Sequence, residues 1–111
     1  MKSMEEMIQA AQQAAETIQK QMEETQGRLD GLEVDGVSGG GLVKVRATAK
    51  GRVIGVVVDD SLMALSEKGM LEDLIAAAFN DARAKADAVA GAELAKAQQE
   101  MGLPPGFKLP F

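Results

Sequence analysis

A seam of small and apolar residues, repeated every three or four positions through the first thirty residues, sets the strictest limit on how this chain can fold. The seam consists of Met4, Ile8, Ala11, Ala15, Ile18, Met22, Thr25 and Leu29. Alternating steps of four and three are heptad spacing and predict one long amphipathic helix over residues 2–28. At about 1.5 Å per residue this helix is roughly 40 Å long, which exceeds what a compact body of this size needs. Its apolar face can pack on a second helix of the same chain or on a partner chain, and both interpretations stay open.

The middle of the chain predicts a three-stranded antiparallel sheet over residues 31–59. Alternation is weak from Leu32 to Ser38 and clean from Leu42 to Ala49, where apolar and charged residues take opposite faces. The stretch from Val53 to Val58 is apolar on both faces, so both faces need cover. A second copy of the chain is the simplest cover for the face that a helix leaves open. The predicted dimer interface therefore consists of Val53, Ile54, Val56, Val57 and Val58.

A second long helix is predicted over residues 69–101. Its apolar stripe runs through Leu71, Leu74, Ile75, Ala78, Phe79, Ala82, Ala86, Val89 and Ala90 and weakens toward Leu94 and Ala97. The tail 102–111 contains three prolines and cannot be helical, but it is apolar enough that we expect it to dock on the body. The sequence thus predicts one α/β domain of the α+β type spanning residues 1–111.

Missing residue types exclude several functions. The 111 residues contain no Cys, His, Trp or Tyr. These absences argue against the usual zinc sites, against Ser–His or Cys–His nucleophiles and against disulfides. We expect no catalytic residues, no metal, no cofactor and no small-molecule substrate. The chain also shows no secretory leader and no membrane-spanning run, which predicts a cytoplasmic protein without a membrane partner.

Two motifs invite a catalytic or phosphate-binding interpretation that their context disfavours. Gly39-Gly40-Gly41 resembles part of a phosphate loop, but a strand follows it where a phosphate loop needs a helix. Asp59 and Asp60, together with Glu72 and Asp73, could hold magnesium. Carboxylates at a strand-to-helix junction are more often helix caps.

The charge distribution is more informative than its total of −5. Residues 41–58 contain four cations and no acid, so removing their +4 from −5 leaves −9 for the other residues. A basic strand face suits phosphate contacts, although it can equally be a solvated face whose charges deter aggregation. The candidate DNA-binding residues are the four strand cations and four on the helices: Lys44, Arg46, Lys50, Arg52, Lys20, Arg28, Arg83 and Lys85. Arg83 and Lys85 lie among acids, which also fits intrahelical ion pairs.

Four segments, taken in order, resemble the YbaB/EbfC family of bacterial nucleoid-associated proteins, and the resemblance covers the whole chain. They are SGGGLVKV at 38–45, VVDDSL at 57–62, MLEDLIAAAFNDA at 70–82 and LPPGFKLPF at 103–111. The family usually has Pro where this chain has Asp60. The first helix is poor in Lys, although the family is thought to contact DNA through its projecting helices.

The resemblance implies a tweezer-shaped cytoplasmic homodimer located in the nucleoid. It also implies binding of double-stranded DNA with little sequence preference, with effects on DNA conformation, nucleoid organisation and gene expression, and no enzymatic activity. The rival hypothesis is an adaptor whose acidic helices bind other nucleoid or DNA-repair proteins, with weak or no direct DNA binding.

Overall fold

A computed structural model describes residues 3–102 and contains two long helices, with a small sheet between them in the sequence. The elements are α1 (Met4–Gly31), β1 (Glu33–Ser38), β2 (Val43–Thr48), β3 (Val53–Val58) and α2 (Lys68–Glu100), with two short 3-10 turns at Asp60–Leu62 and Leu65–Glu67. The order helix, antiparallel three-stranded sheet, helix that the sequence predicts is confirmed. The predicted docking of the tail concerns residues that, beyond Gly102, lie outside the described part.

Helix α1 begins at a conventional cap and ends three residues later than predicted. The hydroxyl of Ser3 accepts a hydrogen bond from the backbone N–H of Glu6 at 3.1 Å, which satisfies one donor of the first turn. Gly27 lies inside the helix, and the helix continues to Gly31. The extended backbone of Leu32 then leads into β1.

The sheet has the strand order β1–β2–β3, with β2 in the centre. Gly39, Gly40 and Gly41 all have positive φ in the turn between β1 and β2, and glycine adopts this conformation without steric cost. The triple glycine is therefore a hairpin turn. The pairing of β2 with β3 shifts between Arg46 and Ala47, which leaves Ile54 as an extra residue on β3.

The core lies between α2 and the inner face of β1 and β2. Val43 and Val45 are fully buried beneath Ala78 and Ala82 of α2. Helix α2 runs antiparallel to β1, since Ser38 Oγ donates to the Leu74 carbonyl at one end and Lys85 donates to the Asp35 carbonyl at the other. Strand β3 lies at the margin of this layer.

Beyond the sheet, α1 and α2 run antiparallel, and the molecule is 77 Å long and 21 Å wide. Arg28 on α1 pairs with Glu93 on α2 at 3.6 Å. Around this pair Thr25, Leu29 and Ala97 are buried. No helix within residues 3–102 combines the length and the apolarity needed to cross a bilayer.

Candidate nucleic-acid interface

The outer face of the sheet, which points away from α2, carries the central part of the predicted basic patch. Side chains alternate along β2, so burial of Val43, Val45 and Ala47 under α2 places Lys44 and Arg46 on the outer face. No described helix covers these two cations, and both are exposed. The sequence alternation therefore predicted their placement correctly.

A shallow depression of about 400 Å³ marks this outer face. It is lined by Asp35 of β1, by Lys44 and Arg46 of β2, and by Ile54, Gly55 and Val57 of β3. Two cations and one carboxylate thus surround an apolar floor supplied by β3. This arrangement contains no nucleophile or acid–base pair, but it can receive phosphate oxygens at its basic side.

The other two strand cations, Lys50 and Arg52, lie at the hairpin that joins β2 to β3. Gly51 has φ of 101° and closes the turn. Arg52 pairs with Asp30, at the end of α1, at 3.4 Å. The guanidinium of Arg83 on α2 lies near Gly51. The hairpin therefore collects a second group of cations at one end of the sheet, with Arg83 on the α2 side.

Acidic partners engage most of the candidate cations. Arg46 binds Asp35 at 3.1 Å, and this hydrogen bond raises the pKa of Arg46. Five of the eight candidates are ion-paired in this way: Arg28, Arg46, Arg52, Arg83 and Lys85. Within residues 3–102, Lys20, Lys44 and Lys50 form no ion pair. Exposed pairs of this kind contribute little to stability, so a phosphate can compete for the cation.

The helix candidates do not join the strand cations in one continuous patch. Lys20 and Arg28 lie on α1, where Glu23, Glu24 and other acids surround them. Arg83 pairs with Asp87, and Lys85 pairs with Asp81, one turn apart on α2. These two are the intrahelical pairs that the sequence offered as the alternative. Lys85 nevertheless donates to the backbone carbonyl of Asp35, whose carboxylate pairs with Arg46. Arg83 lies near Gly51 of the hairpin, on the α2 side of the sheet.

The two edges of the sheet differ in a way that bears on assembly. At the β1 edge, the backbone N–H of Val37 donates to the carboxylate of Asp81 at 2.9 Å, and Lys85 donates to the Asp35 carbonyl. The hydrogen bond from Val37, followed by that from Lys85, lowers the pKa of Asp81. Side chains of α2 thus bind two of the backbone polar groups of the β1 edge.

The β3 edge has no such cover among the described residues. Val57 is 67% exposed, and Ile54 and Val56 are each 48% exposed. Val56 pairs with buried Val45 and so faces the α2 side, whereas Ile54 and Val57 line the outer depression. Both faces of β3 are therefore open among the described residues, whereas the sequence led us to expect that a helix covers one of them; α2 does not reach across this strand.

Two features of the interface escaped the sequence analysis. Phe79 was assigned to the buried stripe of α2, but it is 46% exposed and lies beside Val53, because α2 does not reach across β3. Asp35 was not considered at all. Its place between Val34 and Gly36, which face inward, was the signal that it faces outward beside Arg46.

The alternative motifs have structural roles. Asp59 caps the first 3-10 turn by accepting hydrogen bonds from Ser61, and the hydroxyl contact is the main reason that the pKa of Asp59 is lowered. Within residues 3–102, no group of three or more acidic side chains is placed to hold a metal ion.

Comparison with known proteins identifies the family of this chain. The model of the YbaB/EbfC DNA-binding family matches residues 1–101. A nucleoid-associated protein of Rickettsia bellii is 50% identical over 97 residues, which cover 87% of this chain and 91% of that protein. A nucleoid-associated protein of Rickettsia felis is 48% identical over the same shares.

A solved structure shares the fold. The uncharacterized protein HP0035 from Helicobacter pylori superposes with a TM-score of 0.66 at 22% identity, over 77% of this chain and 88% of that one. The family resemblance drawn from the sequence is confirmed by the family match and by the two relatives. This chain is a member of the YbaB/EbfC DNA-binding family.

Proposed function

We propose that this protein binds double-stranded DNA as a homodimer, through phosphate contacts and with little sequence preference, in the bacterial nucleoid. The observation that carries the proposal is the open outer face of the sheet, where Lys44 and Arg46 border an uncovered depression. Through such binding the protein would affect DNA conformation, nucleoid organisation and gene expression. It would do so in the cytoplasm and without chemistry of its own.

The homodimer is supported by the difference between the two sheet edges. An exposed apolar edge strand is a template for pairing with another chain, and soluble proteins rarely leave one open. Because α2 blocks the β1 edge, only β3 offers an open edge for pairing among the described residues. Pairing of β3 with β3 of a second copy would satisfy this edge and cover Val53, Val56 and Phe79.

The same pairing would enlarge the basic surface. Two β2 strands would lie three strand spacings apart, about 14 Å, on one continuous outer face. Lys44 and Arg46 of each copy would then flank the two-fold axis. Side chains on a sheet face contact phosphates without entering a groove, and phosphate contacts carry no direct sequence information. Low sequence preference follows from this geometry.

A titration of duplex DNA tests the proposal. Anisotropy with two duplexes of unrelated sequence should give similar affinities, and binding should weaken steeply with salt, by about 0.9 logarithmic units per phosphate contact for each tenfold rise in salt. Replacing Lys44, Arg46, Lys50 and Arg52 by Gln should weaken binding and flatten this salt dependence while leaving the circular dichroism spectrum unchanged. Unchanged affinity in that variant would place the contacts on the helices.

Ion pairing of five candidate cations favours one rival, an adaptor that binds nucleoid or DNA-repair proteins through its acidic α1. Affinity capture from bacterial extract with and without exhaustive nuclease treatment separates the two. Under our proposal captured proteins are lost when DNA is digested. Partners that survive digestion, together with failure to bind duplex DNA at low salt, would establish the adaptor.

A further inference from the structure

The apolar stripe of α1 has a covered half and an uncovered half. From Ile18 to Leu29 its residues pack on α2, where Thr25 and Leu29 are 1% and 4% exposed. From Met4 to Ala15 the same stripe faces no described residue. Met4, Met7 and Ile8 are 74%, 58% and 51% exposed, although their spacing continues the buried half without a break.

The chain leaves α2 at the start of the uncovered half. The Arg28–Glu93 pair sets the register of the two antiparallel helices. Nine residues along α2 from Glu93 lead to Gly102, and nine residues back along α1 from Arg28 lead to Gln19, so Gly102 lies level with Gln19. Gly102 has φ of 71°, which closes the helix and frees the following chain to turn away from the helix axis.

The nine residues that follow, LPPGFKLPF, have the composition and length to cover the stripe. They contain Leu103, Phe107, Leu109 and Phe111 and one charge, Lys108. At about 3.1 Å per residue in the extended form that proline favours, nine residues reach roughly 28 Å. From the level of Gln19, where the tail begins, to Met4 at the far end of the uncovered stripe is about 22 Å at 1.5 Å per residue.

We propose that residues 103–111 dock along the uncovered stripe of α1 in the same chain, running from the level of Ile18 toward Met4. The tail would then take the place that α2 takes on the other half of the stripe, with Phe107 and Phe111 against Met7, Ile8 and Met4. Lys108 would lie among the carboxylates that border the stripe, Glu5, Glu6 and Glu16. Burial of these side chains would stabilise the part of α1 that projects beyond α2.

A second copy of the chain could also cover the uncovered stripe. The observations favour the tail. The tail is tethered at the edge of the stripe, so its docking costs no association entropy, and its effective concentration there is in the millimolar range typical of short linkers. Its length matches the stripe, and its proline content fits a segment that lies along a helix without becoming one.

Nuclear Overhauser effects provide the direct test, because Phe is the sole aromatic residue type in the chain and occurs three times. The sample is the full chain with protonated, labelled methyl groups on Met and Ile and protonated Phe, and it is deuterated elsewhere. In this sample the methyl groups of Met7 and Ile8 should show nuclear Overhauser effects to the rings of Phe107 and Phe111. Phe107→Leu and Phe111→Leu assign the two rings. Met63, which is 67% exposed at the sheet end of the molecule, should show none.

Mixed labelling distinguishes the two occupants. Two preparations are mixed: one has labelled methyl groups and deuterated Phe, and the other has protonated Phe and no methyl label. If the tail docks within its own chain, the effects should disappear in the mixture, because the labelled methyl groups and the protonated rings then belong to different chains. Effects that persist in the mixture would mean that another copy covers the stripe. Absence of any effect in the singly prepared sample would mean that the tail does not dock. Either result overturns the proposal.

Methionine oxidation provides a second readout that does not depend on spectral assignment. Among the described residues, Met7 and Met63 have similar exposure, at 58% and 67%. If the tail docks, Met7 should be oxidised by dilute peroxide at about one third of the rate of Met63 or less, because the oxidation rate of a methionine follows its exposure. In a Phe107→Ser/Phe111→Ser variant the two rates should converge. Equal rates in the unsubstituted protein would contradict docking.

Discussion

At the scale of single residues, the packing of the fold depends on Gly36. A Cβ atom added there would lie 2.1 Å from the carbonyl oxygen of Ala78 and 2.4 Å from the backbone nitrogen of Ala82. No side chain can adjust to relieve such a contact, since both atoms belong to the backbone of α2. Absence of a side chain at this position therefore lets α2 approach β1 closely enough to place Asp81 and Lys85 on the strand edge.

Gly36→Ala should therefore destabilise the protein by at least about 2–3 kcal/mol, the upper part of the range for overpacked cores. Chemical denaturation followed by circular dichroism measures this loss. Gly91→Ala is the matched control, because a Cβ there meets nothing within 4 Å and lies in the interior of α2. This control should stabilise the protein by about 0.5–1 kcal/mol. Equal effects of the two substitutions would show that helix propensity, and not close approach, governs both sites.

Sequence reasoning reached some of these residues and missed others for a physical reason. Alternation in β2 correctly assigned Lys44 to the open face and Val45 to the core, because strand geometry alone fixes that choice. The exposure of Phe79 and the contact at Gly36 depend on where α2 crosses the sheet. That crossing is set by tertiary packing, which a periodic pattern in one segment does not contain.

At the scale of elements, β1 and β3 are both edge strands, and their surroundings make them different. At the β1 edge, the side chains of Asp81 and Lys85 from α2 bind free backbone groups of the strand. Strand β3 presents a row of valines that no described residue covers. The order and the approximate limits of the elements could be predicted from periodicity and glycine positions. The unequal protection of the two sheet edges could not be predicted from the sequence, because it arises from long-range contacts between α2 and β1.

Val57→Lys should dissociate the proposed dimer. Val57 is 67% exposed, so the monomer should tolerate Lys there, but a charge on each copy would repel across a β3–β3 interface and remove apolar burial. Because Val57 lies on the outer face, repulsion between the added charges is the main effect, and we expect the dissociation constant to rise by about threefold or more. Light scattering over a dilution series measures the shift.

Val37→Lys is the control for this experiment. Val37 and Val57 flank Lys44 from opposite edge strands on the same outer face, so the two substitutions add the same charge to the same face. Only the β3 variant should shift the dimer equilibrium. A dimer weakened equally by both variants would place the interface on the outer face, and a dimer weakened by neither would exclude β3 from it.

At the scale of the whole molecule, the location of charge matters more than its sum. The chain carries −5 overall, while residues 41–58 carry +4. Exposed charges more than about 8–10 Å apart are largely screened at physiological salt, so the acids in the N-terminal half of α1, far along the 77 Å molecule, have little effect on a phosphate at the sheet. The acid that lies directly against the outer depression is Asp35, at 3.1 Å from Arg46.

Asp35→Asn should accordingly strengthen DNA binding, because it frees Arg46 and removes the one carboxylate that lines the outer depression. We expect an affinity gain of about threefold or more at low salt and a steeper salt dependence, since one more cation per chain can displace a counterion from DNA. Glu5→Gln makes the same change in net charge, from −5 to −4, at the far end of α1 and should leave affinity nearly unchanged. Equal gains from both variants would mean that total charge controls binding, and a gain from Glu5→Gln alone would move the DNA contact from the sheet to the projecting helix.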